Sequence, residues 1–189
     1  MLELFSKGGW IMYFLLLSSI VALAVTIERL WYLRRKKILV PDIITALDQI
    51  RAPEDLNLTQ SICRKFDGPF SRILLTTIEN RDLSAEELRN LVEDDGRQAV
   101  RSLERGLGTL ETVAAIAPLL GLLGTVLGMI KVFDVIQNLG VGQAKALSGG
   151  ISEALITTAA GLMIGIPVLI VYNFFRHRSE VFILDIEKY

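Results

Sequence analysis

Three long apolar stretches, over residues 10–27, 112–130 and 154–175, dominate the pattern of hydrophobic and polar positions along this chain. None of the three contains a charged residue. At a rise of 1.5 Å per residue the first covers about 27 Å, close to the thickness of the hydrocarbon core of a bilayer. It is longer than the apolar region of a usual signal peptide, and no Ala-x-Ala site follows. The pattern therefore predicts an all-α integral membrane protein with three transmembrane helices.

A polar segment between the first two apolar stretches contains shorter amphipathic patterns. These patterns predict one helix after Pro41, one over residues 56–66 and one after Gly68 and Pro69. Proline suits the first turn of a helix, because the N–H that it lacks has no partner there. We therefore expect this segment to be helical, with long helices extending out of the membrane.

The end of the polar segment has the pattern of one long helix. Ser84 and Glu87 form a Ser-x-x-Glu capping box, which is a helix start signal. Apolar residues recur behind it at helical spacing, and no proline interrupts them before Pro118. We therefore expect a single helix that begins in water and continues into the membrane.

Basic residues near the ends of the apolar stretches predict the orientation. Those on one side are Arg29, residues 34–37, Arg97, Arg101, Arg105, Arg176 and Arg178, and those on the other are Lys7, Lys131 and Lys145. The richer side is expected to be cytoplasmic. In chain order this predicts a periplasmic N-terminus (1–9), a first span (10–27), a cytoplasmic helical segment (28–105), a second span (106–136), a periplasmic loop (137–150), a third span (151–175) and a cytoplasmic tail (176–189).

The composition excludes several classes of function. Of 189 residues, 51% are hydrophobic and the net charge is −1, so the total charge gives no pull towards nucleic acid. Cys63 is the only cysteine and His177 the only histidine. The chain can therefore form neither an internal disulfide nor, alone, a structural zinc site of about four such ligands. No nucleophile–base set is present either, so we predict no catalytic residues, no metal site and no cofactor.

Acidic residues are absent from the middle of each predicted span. Glu111 lies near the cytoplasmic end of the second span, whereas Asp134 and Glu153 lie near the outer ends. A proton pathway usually needs an acid or a histidine inside the membrane. If this chain conducts protons, another polypeptide is expected to supply the carboxylate.

The charges close to the span ends suggest local pairs. Lys131 and Asp134 are three residues apart, a spacing that brings side chains together on a helix. Glu28 and Arg29 are adjacent and suit an interfacial pair.

Hydroxyl groups and small residues occupy the two later spans instead. Thr125 lies 20 residues after Arg105 and Thr158 lies 18 before Arg176, so antiparallel helices place both at matching depth. Small residues and prolines that suit close packing or kinks surround them: Gly121, Gly124, Gly128, Gly161, Gly165, Pro118 and Pro167. Two interpretations stay open: hydroxyls bonded to their own backbone, or a polar ring around a cavity.

Several segments resemble the ExbB/TolQ/MotA proton-channel family. Residues 117–129 have the sequence APLLGLLGTVLGM and resemble its second-span signature. Residues 153–161, EALITTAAG, followed by Ile166-Pro167 and Tyr172-Asn173, resemble its third-span signature, and LERGL at 103–107 also fits. The ExbB and TolQ branch is the most similar, since MotA-like members have four spans.

This resemblance implies a homopentamer in the bacterial inner membrane. It implies a pore that encloses the single spans of two copies of an ExbD- or TolR-like partner, whose aspartate carries the proton. A TonB- or TolA-like periplasmic protein would receive the work. The pore threonines of the family map onto Thr125 and Thr158 and its glutamate onto Glu153; Thr157 beside Thr158 leaves open which hydroxyl faces the pore.

Two alternatives to a motor subunit remain at this stage. The same close packing would serve a non-conducting structural membrane scaffold. A self-sufficient transporter is disfavoured because no acid lies at mid-span. The sequence leaves open the process that is energised and the choice between proton and sodium as the coupling ion.

Overall fold

A computed structural model of the chain describes residues 8–33, 43, 45, 55–66, 68–140 and 144–187. These residues form helices and turns, with no strand among them, which confirms the all-α fold class. The helices are α1 (Ile11–Tyr32), α2 (Asp55–Cys63), α3 (Pro69–Glu79), α4 (Ala85–Glu104), α5 (Leu107–Leu139) and α6 (Ala144–Glu187).

Three helical segments are long and apolar enough to cross a membrane, as predicted. They are α1, the apolar part of the segment Ala85–Asn138, which lies in α5, and Leu147–Ile186 within α6. Many large apolar side chains on these helices are exposed, such as Leu119 and Met163 at 62% and 75%. Exposed apolar faces of this extent are expected where lipid or other membrane helices are the surroundings.

The chain divides into two units. The membrane unit comprises residues 1–27 and 106–174, and the polar unit comprises residues 28–105 and 175–189. In the membrane unit, Ile11, Leu15 and Ala117 form a buried cluster. Residues that pack against this cluster are Met12, Leu120, Leu127, Ala160 and Ile164.

The polar unit contains α2, α3 and α4, with α3 packed against both of the others. Pro69 lies in the first turn of α3, and Phe70 beside it is buried at 2% exposure. Arg64 and Glu79 form an ion pair of 2.9 Å near the ends of α2 and α3. The predicted helices over 56–66 and after Pro69 are confirmed, whereas the one after Pro41 lies almost wholly outside the described residues.

The capping box at the start of α4 is confirmed in both directions. The Glu87 N–H donates to Ser84 Oγ at 3.3 Å, and the Ser84 N–H donates to Glu87 Oε2 at 3.2 Å. The reciprocal bonds satisfy two donors that have no partner inside the helix.

The prediction of a single helix from Ser84 into the membrane is wrong. The helix ends at Glu104 and a new one begins at Leu107, because Gly106 adopts the left-handed conformation with φ 77°. Glycine enters this region without steric cost and is a common helix terminator. The spacing of apolar residues and the absence of proline between Ser84 and Pro118 give no sign of this break.

The helices α5 and α6 extend beyond the apolar stretches. Helix α5 ends at Leu139, followed by Gly140 with φ 75°, and α6 begins at Ala144, both within the predicted loop 137–150. Helix α6 then continues to Glu187. Hydrogen bonding along the backbone continues through polar residues, so apolar length alone sets a lower bound on helix length.

Candidate functional site

The backbones of α5 and α6 approach each other along a line of small residues. We call this line the glycine seam; its glycines are Gly121, Gly124 and Gly128 of α5 and Gly161 and Gly165 of α6. At its centre a Cβ added to Gly161 would lie 2.6 Å from the carbonyl oxygen of Ala117 and 3.0 Å from Cα of Gly121. A Cβ added to Gly121 would lie 2.9 Å from the carbonyl oxygen of Thr157. These distances leave no room for a side chain at either glycine.

The seam continues on both sides of this crossing. A Cβ at Gly165 would lie 2.6 Å from Cγ of Pro118, and a Cβ at Gly128 would lie 2.8 Å from Cβ of Ala154. The ring of Pro118 thus packs into the space above a glycine of the facing helix. Close approach of this kind maximises van der Waals contact between membrane helices, which cannot associate through the hydrophobic effect.

Thr157 lies inside the seam. A Cβ at Gly124 would overlap its hydroxyl oxygen, and its side chain has 0% exposure. The Thr157 hydroxyl contacts the backbone carbonyls of Glu153 at 3.0 Å and Ala154 at 2.9 Å, in its own helix. Within the membrane unit this hydroxyl is therefore enclosed between the two helices.

Thr158 and Thr125 lie at the edge of the seam, each half-buried. The Thr158 hydroxyl donates across to the carbonyl of Gly121 at 3.1 Å, whereas the Thr125 hydroxyl donates to Leu122 of its own helix at 2.6 Å. Gly121 is one helical turn from Thr125, so the two threonines lie at similar levels. Both oxygens retain lone pairs that can accept a bond from water or from a partner.

Pro167 lies apart from the seam. Its ring is exposed in α6, where it lines a cavity of about 230 Å³ together with Ser19 and Thr26 of α1. Thr26 donates its hydroxyl to Ala22 of its own helix at 2.7 Å. Apart from Ser19 and Thr26, the residues that line this cavity are apolar.

Glu153 is held by Lys131, for which spacing along the helix predicts a different partner. Nζ of Lys131 lies 2.6 Å from Oε1 and 2.7 Å from Oε2 of Glu153. The expected pair of Lys131 with Asp134 is wrong, because the ammonium reaches across to α6 instead. Spacing along one helix misses such a contact. The seam register could have indicated it, since Lys131 lies about one turn beyond Gly128.

The turn before α1 also contacts this carboxylate. Gly9 has φ 69°, and a Cβ there would overlap Oε1 of Glu153. Two requirements thus favour glycine at this position: the left-handed backbone and the close approach. Three segments of the membrane unit therefore meet at Glu153.

Comparison with known proteins adds to this geometry. The profile of the MotA/TolQ/ExbB proton channel family matches residues 65–188. The chain is 40% identical over 182 residues to the ExbB-like 1 protein of Synechocystis, an alignment of 92% of this chain and 69% of the relative. It is 30% identical over 181 residues to the ExbB homolog of Methanothermobacter thermautotrophicus, covering 95% and 64%.

A third relative is the biopolymer transport protein ExbB of Neisseria gonorrhoeae, 29% identical over 138 residues, or 66% of this chain and 63% of the relative. The chain thus spans about two thirds of the length of these relatives. The matched residues include both sides of the glycine seam, Thr125, and the ion pair of Lys131 with Glu153. This chain belongs to the MotA/TolQ/ExbB proton channel family.

Proposed function

We propose that this chain is the proton-channel subunit of an inner-membrane motor. With an ExbD- or TolR-like single-span partner, it uses the proton gradient to energise transport or maintenance at the periplasm or outer membrane. One observation supports the proposal: the Thr158 hydroxyl donates to the carbonyl of Gly121, one turn from Thr125, in spans whose sequence contains no acid near the middle. A channel of this kind needs a carboxylate from another chain.

The assembly that follows is a homopentamer around the spans of two partner copies. The exposed apolar faces of α1, α5 and α6 are suited to lipid and to neighbouring subunits. In this arrangement the N-terminus is periplasmic and the C-terminus cytoplasmic, because the basic residues near the span ends favour that orientation. A TonB- or TolA-like periplasmic protein would receive the work.

The mechanism assigns each site residue a part. The partner's aspartate carries the proton, and the accepting lone pairs of Thr125 and Thr158 hold water along its route. Thr157 keeps α5 and α6 in register inside the seam, and Glu153 lies at the outer mouth. One proton crossing about 100 mV yields roughly 2.3 kcal/mol, which is enough to bias a rotation between near-equivalent positions.

Neutral hydroxyls suit such a pore better than fixed charges. A charged side chain at the centre of a span costs about 2.5–3.5 kcal/mol on insertion scales. Threonines add polarity at much smaller cost, because each can donate to a helix carbonyl as Thr125 and Thr158 do. The route can therefore stay wet without a permanent charge in the wall.

The test replaces Thr158 with valine in the complex of this chain with its partner subunit. Thr158→Val keeps the shape and removes the hydroxyl, and we expect at least ~10-fold less proton flux into liposomes, or about 1.4 kcal/mol. Thr158→Ser should restore most of it. Thr26→Val is the matched control, since that hydroxyl also bonds to a helix carbonyl but lies outside the seam.

Full flux from an assembled Thr158→Val complex would contradict the role of the hydroxyl. Output that persists after the gradient is collapsed would favour the structural scaffold. Flux from this chain without any partner would favour a self-sufficient transporter.

A further inference from the structure

The ion pair between Lys131 and Glu153 is asymmetric in its exposure. The side chain of Glu153 is 18% exposed and that of Lys131 is 54% exposed. The carboxylate thus lies in the wall of the membrane unit, whereas the lysine reaches it from the surface. A charged carboxylate without a counter-charge is costly in a partly buried position, and the Lys131 ammonium offsets that cost.

The Lys131 ammonium bridges the two oxygens of the Glu153 carboxylate. It lies within 2.7 Å of both carboxylate oxygens. The Gly9 turn packs against Oε1 from another side. A carboxylate is a hard oxygen ligand of the kind that sodium and other hard cations prefer, and the tethered ammonium offsets the negative charge that would attract such an ion.

We propose that Lys131 is a specificity-determining residue: it supplies Glu153 with a built-in cation and so keeps sodium ions off the carboxylate at the outer mouth of the channel. The consequence for transport rests on the proposed function, because only a conducting complex has a coupling ion to select. The occupation of Glu153 by Lys131 is a property of this chain, and it is testable by binding alone.

The decisive experiment measures the binding of radioactive sodium to the purified complex of this chain with its partner. Wild type is expected to bind none at Glu153, and Lys131→Met is expected to bind about one ion per chain. At any given sodium concentration, the wild-type occupancy of Glu153 should be at least ~10-fold below that of Lys131→Met, since an opposite charge at contact distance shifts a charge equilibrium by one to three pKa units. Lys131→Met/Glu153→Gln should lose this binding.

Matched controls distinguish the loss of the contact between Lys131 and Glu153 from the loss of a positive charge elsewhere on the chain. Lys145→Met removes a lysine from an exposed position in the first turn of α6 and should leave sodium binding as in wild type. Lys131→Arg keeps a cation and should also exclude sodium. Lys131→Gln repeats the test with a polar side chain if the methionine variant does not assemble.

Three results would overturn the inference. One is an assembled Lys131→Met or Lys131→Gln complex that binds no sodium, since the freed carboxylate would then take a proton or the pair would serve only as a tie between helices. Another is sodium binding that survives Glu153→Gln. The third is wild-type binding that depends on Glu153.

A parallel flux assay distinguishes this inference from the proposed function. We expect wild-type proton flux to be independent of sodium and Lys131→Met flux to be inhibited by it. A wild-type complex that conducts no protons contradicts the proposed function, while the binding experiment still decides the role of Lys131.

Discussion

Apart from the ion pair of Lys131 with Glu153, the membrane unit and the polar unit hold their helices together by different means. In the membrane unit, α5 and α6 meet through residues without side chains, and Gly121 and Gly161 bring the two backbones into contact. In the polar unit, apolar side chains such as Phe70 and Leu103 are buried and charged groups pair at the helix ends. Water drives apolar side chains together, whereas lipid does not, so membrane helices depend on shape.

Arg29 is an almost fully buried charged residue in the polar unit. Its side chain is 2% exposed, donates to Glu28 at 2.9 Å and to the carbonyl of Ser102 at 3.2 Å, and stacks on Tyr32. Ser102 is in the last turn of α4, where carbonyls have no partner within the helix. A cation is favourable there because of the helix dipole. The predicted pair of Glu28 with Arg29 is thus confirmed, and the guanidinium also caps α4.

The largest effect is expected from a methyl group at the centre of the seam. Gly161→Ala places a Cβ 2.6 Å from the Ala117 carbonyl, so the backbones must separate, and overpacking of this kind costs up to about 3 kcal/mol. We expect thermal unfolding of the purified chain in detergent to show this loss, and native mass measurement to show impaired assembly.

The matched control is a glycine of the same helix that has open space. Nothing lies within 4 Å of a Cβ at Gly149. Because alanine favours a helix over glycine by about 1 kcal/mol, Gly149→Ala should be neutral or stabilising. Equal effects of the two substitutions would show that helix propensity, and not the seam, decides stability here.

Local sequence signals predict the spanning helices and one helix start, but they miss one helix end. Three uncharged apolar stretches and the Ser84–Glu87 box were enough to predict the spanning helices and one helix start, because both signals are local. The break at Gly106 was missed, since a glycine ends a helix only when its backbone turns left-handed.

Contacts between helices were predicted less well than the helices. Residue spacing predicts that Thr125 and Thr158 lie at matching depth, but it does not reveal that Thr157 faces Gly124 while Thr158 reaches Gly121. These contacts depend on the rotation of α5 and α6 about their axes. For the same reason, spacing along α5 pairs Lys131 with Asp134 and misses its contact with Glu153 in α6.

An intermediate effect is expected from Glu28→Gln in the polar unit. The substitution leaves the buried guanidinium of Arg29 without its counter-charge, and we expect a loss of about 2 kcal/mol in the free energy of unfolding. Arg29→Met should cost less, because it removes the buried charge and leaves Glu28, which is 56% exposed, in water.

The exposed pair of Arg97 and Glu93 provides the control for this order. Both side chains are more than half exposed, at 65% and 54%. Glu93→Gln should therefore change stability by at most about 0.5 kcal/mol. If Arg29→Met proves more damaging than Glu28→Gln, packing of the arginine against Tyr32 and Ser102 outweighs the ion pair.

Apart from the Glu93→Gln control, the smallest effect is expected at the capping box of α4. Ser84→Ala removes the acceptor for the Glu87 N–H and should cost about 1 kcal/mol. The bonds from the Ser84 hydroxyl and N–H also lower the pKa of Glu87 below its ordinary value of 4.5. A lowered pKa in the folded state stabilises the fold above the ordinary pKa, and this stabilisation is lost as the pH falls below it.

The stability difference between wild type and Ser84→Ala should therefore be full at neutral pH and should shrink in acid. Glu87→Gln is the comparison variant, because its amide can still accept from Ser84 but does not titrate in this range. Thermal unfolding at neutral and acidic pH measures both. A Ser84→Ala difference that stays constant through the titration of Glu87 would mean that the serine acts only on the backbone, and that the carboxylate adds nothing to the helix start.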